Sequence, residues 1–197
     1  MRFTSLTLAA GLVALAQAND TIFYEINTCN SGSYSGCRGV SSGVCCVTKT
    51  EGEAAAISIS KAPLDFATMW SGGGCKTMQC SAGGSGTFCC IWNQKDLLTG
   101  GLFNTLHKNN RADPKSQAKC TSKMEANVIG YAADDGSAWE IHADNMSSAL
   151  SQGKTFDQMN VEYHQLSSEE KVEWLKAHGA TKKAKLHEEP LTIAHAK

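Results

Sequence analysis

The sequence predicts an α+β fold: a disulfide-stapled antiparallel sheet followed by C-terminal helices. Three observations carry this. Two related cysteine runs, Cys29, Cys37, Cys45-Cys46 and Cys75, Cys80, Cys89-Cys90, each set a CC pair in a short β-forming segment. Residues 126–142 alternate apolar and polar positions around an Asp-Gly turn. Residues 167–179 carry both the start and the stop signal of a helix.

Taken in order, residues 1–18 have the three parts of a signal peptide. These are Arg2, an apolar run from Leu6 to Leu15, and small residues at Ala16 and Ala18. The expected mature chain is therefore secreted and extracellular, with one domain over 19–179 and a flexible tail over 180–197. Strand alternation marks 21–27 (TIFYEIN), and 43–49 (GVCCVTK) with 54–60 (AAAISIS) reads as a hairpin. Residues 64–70 (LDFATMW), opened by Pro63 and Asp65, read as a short helix. The glycine- and serine-rich segments 71–74 and 81–87 read as loops, and 87–92 (TFCCIW) as a strand. The apolar spacing of 94–108 is that of an amphipathic helix interrupted by Gly100-Gly101. Residues 114–124, with Asp113 as cap and Pro114 in the first turn, form a further candidate helix. ANVIGYA and SAWEIH form a hairpin around Asp134-Asp135-Gly136. Two helices follow, one near 146–152 and one over 167–179 with a Ser167–Glu170 capping box and Gly179 at its end.

The chain has nine cysteines, and an extracellular protein is expected to oxidise them. Adjacent cysteines seldom bond to each other across a trans peptide, so each CC pair should send bridges in two directions. Cys29, Cys37, Cys45, Cys46, Cys75, Cys80, Cys89 and Cys90 supply the frame, and spacing leaves its connectivity open. Cys120 lies outside both runs and is the expected unpaired or intermolecular thiol. The CC spacing does not suit zinc, and no cofactor is expected.

Lys plus Arg number 18 against 19 acidic residues, a net charge of −1, which argues against nucleic acid as a partner. No later segment is apolar enough to span a membrane. Gly39-Val40-Ser41-Ser42-Gly43 matches the pattern of a nucleophile elbow, but its place between two cysteines reads as a glycine turn, and no catalytic residue is assigned there. Glu140 and His142 share one strand face, as an acid–base pair of a small hydrolase would. Lys108, Arg111, Lys115, Lys119 and Lys123 recur every three or four residues and form a candidate contact for an anionic surface. Asn19 and Asn145 head glycosylation sequons, and Lys182-Lys183 is a dibasic pair.

The signal, the modest length and the paired cysteines of residues 1–120 resemble fungal small secreted cysteine-rich proteins. That class includes host-directed effectors and killer-toxin-like antimicrobials. The resemblance implies a monomeric, non-enzymatic binding protein acting on a host protein, a glycan or an anionic surface. Such a role would be presented from loops 31–43 and 71–87. From Cys37 to Cys120 the order C, CC, C, C, CC, C is also similar to that of hydrophobins, with Cys29 surplus, which implies an alternative as a surface-film protein.

Overall fold

Four consecutive strands, β1 (Asn19–Tyr24), β2 (Gly32–Val40), β3 (Val44–Val47) and β4 (Ala56–Lys61), are followed by four more in the same arrangement. These are β5 (Asp65–Ser71), β6 (Thr77–Gly83), β7 (Gly86–Ile91) and β8 (Leu98–Thr105). The computed structural model describes residues 19–48, 54–61, 65–92, 97–105, 120–145, 153–187 and 191–195. After the eight strands come β9 (Ser122–Glu125), β10 (Val128–Ala132), β11 (Ala138–His142), α1 (Phe156–His164), α2 (Ser168–Ala177), β12 (Thr181–Lys183) and β13 (Leu191–His195).

The two sets of four are topologically equivalent, and they exchange their third strands. One sheet contains the run β2-β1-β4-β7-β13, and the other is β6-β5-β8-β3-β9. In each, the first strand pairs antiparallel with the second and fourth of its own set. The fourth pairs antiparallel with the third strand of the other set. A later strand then lies parallel on that exchanged strand, β9 on β3 and β13 on β7. Each set thus keeps the order second-first-fourth and hands its third strand to the other sheet.

The α+β class is as the sequence reading has it, with the strands divided between two sheets of eight and five. Phe23, Ile57, Ile59 and Phe88 of the first sheet meet Ala67, Met69, Leu98 and Phe103 of the second in the inter-sheet core. Alternate residues, including Ile22, Tyr24, Tyr34 and Ala56, fill a second core on the opposite face. With both faces covered, polar side chains of the central strands such as Thr21 and Ser58 are buried along with the apolar ones.

The first sheet is further extended by β10, β11 and β12 beyond β2, all antiparallel. Helices α1 and α2 cover β10 and β11, where Met159, Tyr163 and Leu175 pack on Ile129 and Ile141. The Ser167–Glu170 capping box of α2 is present. An equivalent Thr155–Gln158 box opens α1, which the sequence reading did not anticipate.

Several elements differ from expectation. Residues 65–71 are a strand, with Ala67 and Met69 in the inter-sheet core and Thr68 Oγ1 donating to the Leu102 carbonyl at 3.2 Å. Residues 98–105 are a strand as well, because Gly100 and Gly101 are points of close approach. A Cβ on Gly101 would lie 2.5 Å from Thr21 Cγ2, and one on Gly100 would lie 2.7 Å from the Gly74 carbonyl oxygen. Segments 32–40 and 77–83, expected within loops, are β2 and β6. Residues 122–125 form β9 rather than the end of a helix, and the expected helix at 146–152 lies outside the described residues.

The tail is not free of the fold. Thr181–Lys183 pairs with β11, Leu186 is buried and donates its N–H to the Gly136 carbonyl at 2.9 Å, and Leu191–His195 pairs with β7. Sheet edges recruit such segments through backbone hydrogen bonds, so no apolar periodicity is needed in the recruited strand.

Candidate functional site

The four bridges obey the same two-fold logic as the strands. The second cysteine of each run joins the last of its own CC pair, Cys37–Cys46 and Cys80–Cys90. The first cysteine of each run joins the leading member of the other run's CC pair, Cys29–Cys89 and Cys75–Cys45. In a strand, neighbouring side chains point to opposite faces, so each CC pair reaches both ways. Cys120 is the free thiol, partly exposed, with its Sγ 3.1 Å from the Ser122 carbonyl.

The strand period places Glu140 and His142 together: His142 Nε2 is 2.6 Å from Glu140 Oε1. What the sequence did not show is the rest of the constellation. Tyr34 Oη donates to Glu140 Oε2 at 3.0 Å, Arg38 Nη2 donates to the same oxygen, and Lys183 Nζ is 2.6 Å from Oε1. Arg38 Nη1 also reaches Asp20 at 2.6 Å, and the Arg38 N–H donates to Asn127 at 2.8 Å.

The Glu140 side chain is fully buried, while His142 retains 27% exposure. Burial alone would raise the Glu140 carboxyl. The Arg38 charge and the hydrogen bonds from Lys183 and Arg38 outweigh it and bring the pKa down to about 2. Burial opposes the charge of Arg38, but Asp20 and Glu140 raise its pKa above the usual arginine range. Tyr34 is pushed well up by burial and by the adjacent Glu140 charge. At neutral pH the carboxylate is ionised and holds four partners, which suits an anchor better than a proton carrier.

A second buried charge cluster ties the helices to β2. Lys171, only 4% exposed, donates to Glu25 Oε2 at 2.9 Å and to Ser33 Oγ at 2.9 Å, and His164 also bonds Glu25. Burial again works against the charge on Glu25, and the bonds from His164 and Lys171 prevail, lowering its pKa to about 2.

The remaining candidates are dispersed. Lys108, Arg111, Lys115 and Lys119 lie outside the described residues, and Lys123 is exposed on β9. Its Nζ lies beside the glycine turn, 3.6 Å from where a Cβ on Gly74 would stand. Asn145 is exposed, whereas Asn19 is 5% exposed at the head of β1. The Gly39–Gly43 segment is a strand–turn–strand connection with positive φ at both glycines, not the strand–turn–helix of a nucleophile elbow. No described helix is long and apolar enough to cross a membrane.

No curated protein and no solved structure matches the chain. A family model does match, over residues 20–127, a span from β1 to the residue before β10 that takes in both four-strand sets and β9. The chain belongs to the family described as ARB_05566_N, N-terminal domain.

Proposed function

We propose that the chain is a secreted, monomeric, non-enzymatic binding protein that acts on a host, competitor or cell-wall surface from a disulfide-held sandwich. The observation that carries this reading is the fate of Glu140. The carboxylate best placed for acid–base chemistry is buried and saturated by Tyr34, Arg38, His142 and Lys183. The contact surface on this reading is the turn between β5 and β6, at one end of the second sheet. There the turn over 71–76 holds Gly72, Gly73 and Gly74 at positive φ, with exposed Lys76 and Lys123 close by. The two lysines favour an anionic target and make binding salt-sensitive. Among the described residues the exposed large apolar side chains are Ile26 in the β1–β2 loop, Val161 on α1 and Ile193 on β13, a scatter that disfavours the film-forming alternative.

The test is sedimentation of the purified protein with intact cell walls and with host-cell surfaces at low and high salt. Salt-sensitive retention, reduced by joint replacement of Lys76 and Lys123 with Glu, is expected. Absence of retention on every surface defeats the reading. A hydrolase remains the second reading because His142 is oriented by Glu140 and partly exposed. Any hydrolytic activity abolished by His142→Ala in a folded variant would establish it instead.

A further inference from the structure

Three segments distant in sequence close around a cavity of about 290 Å³ at one end of the first sheet. They are the β1–β2 loop at Asn30, the β10–β11 turn at Asp135-Gly136, and the tail residues Lys185, Leu186, His187 and Leu191. Its walls are fixed. Cys29, beside Asn30, is bridged to Cys89 on β7. The Leu186 N–H bonds the Gly136 carbonyl at 2.9 Å. His187 Nε2 lies 2.8 Å from the Cys29 carbonyl oxygen and 2.7 Å from Tyr24 Oη. Asp135 Oδ1 accepts the Ser137 N–H at 2.9 Å, which holds the turn. A preformed cleft near the lower end of the small-ligand size range, mixing apolar wall with a few polar groups, has the form of a binding site.

We infer that this cavity binds a neutral saccharide unit. Leu186 and Leu191 offer apolar surface suited to the C–H face of a pyranose ring. Around them stand a carboxylate (Asp135), an ammonium (Lys185) and a carboxamide (Asn30), so acceptors and donors face one small volume. A hydroxyl group both donates and accepts, and a ring bearing several satisfies such a mixed set. A ligand of single charge would meet one of the two opposite charges as a like charge. His187 adds no positive charge to the wall at neutral pH, because burial lowers its pKa.

This assignment rests on the binding reading above and names a ligand class for it. Amide chemical shifts of the full chain are followed while chitotriose, mannotriose or laminaritriose is added, with glycylglycine as the zwitterionic comparison. Saturable shifts centred on Gly136, Leu186 and His187 with at least one trisaccharide are expected. Asp135→Asn and Lys185→Ala, both at exposed positions, should each weaken that binding about tenfold. Saturation by glycylglycine alone, no saturation by any sugar, or undiminished binding by both variants overturns the assignment. Cell-wall retention that persists in the double variant also removes the cavity from the mechanism while leaving the broader binding reading standing.

Discussion

The two four-strand sets share one topology and one cysteine pattern, yet the outer edge of β2 is built over, whereas no described strand lies beyond β6. Beyond β2 lie β10, β11, β12 and two helices; among the described residues β6 pairs only with β5. The side chains follow this difference. Arg38 follows Cys37 on β2, whereas Ser81 follows Cys80 on β6; Tyr34 precedes Cys37 by three residues, whereas Thr77 precedes Cys80 by three. A buried arginine and tyrosine are tolerable on β2 only because β11 and β12 supply Glu140 and Lys183 to the same cluster. The lesson is that the duplicated frame is indifferent to what its edges carry. What lies beyond the matched family region is added at both edges of the first sheet, β10 to β12 beyond β2 and β13 on β7.

The largest effect is expected at the bridges that cross between the sets. Cys29–Cys89 closes a separation of 60 residues, against 9 for Cys37–Cys46. On the chain-entropy model, removing the first by double alanine substitution should cost about 4 kcal/mol, and removing the second about 2.5 kcal/mol. Denaturant titration of the two variants would decide this, and equal losses would deny the crossed bridges their special weight.

Next in size is Glu140→Gln. It leaves Arg38 buried with only Asp20 as a charged partner and should cost about 3 kcal/mol by thermal or chemical unfolding. The acid dependence should agree. Glu25 and Glu140 have folded values near about 2 against an ordinary 4.5, so the stability they contribute is present above about 4.5 and lost as pH falls toward 2. His187, lowered by burial, is protonated more readily in the unfolded chain, so a shallower loss should begin below about 6.5. In Glu140→Gln the steep acid step should shrink.

Ending the chain at Ala180 removes β12, buried Leu186 and β13, and should cost about 2 kcal/mol, measured by thermal unfolding. An unchanged melting temperature would restore the view of the tail as a passenger. The smallest effect belongs to the open edge: Ser81→Lys on β6 should move stability by less than about 0.5 kcal/mol.

Much of this frame was legible from local sequence. The strands at 21–27, 43–49, 54–60 and 87–92, the 126–142 hairpin and the last helix all announce themselves through alternation, turn residues or caps, though 43–49 and 54–60 do not form the expected hairpin and part into different sheets as β3 and β4. Residues 94–108 misled because Leu98, Leu102 and Phe103 fit a helical spacing as well as a strand. Only Thr21 across the sandwich and the Gly74 carbonyl of the β5–β6 turn explain why Gly100-Gly101 belongs to extended chain. Of the Glu140 cluster, the contact with His142 follows from the strand period. Tyr34, Arg38 and Lys183 arrive from other strands, and nothing local marks them as its partners. The tail escaped notice for a related reason, since backbone pairing at an edge leaves little imprint on composition.

The handing of a strand from each set to the other also imposes an order on oxidative folding. As the chain emerges from synthesis, Cys37 can meet Cys46 early, but Cys29 cannot reach its native partner until Cys89 is made, with nearer thiols in reach. Cys45 waits likewise for Cys75. Neither crossed bridge has a local precursor, so reaching the native pairing depends on thiol–disulfide exchange that undoes early, short-range mistakes. A half-length chain has no route to the native set of bonds, and the duplicated halves mature only together.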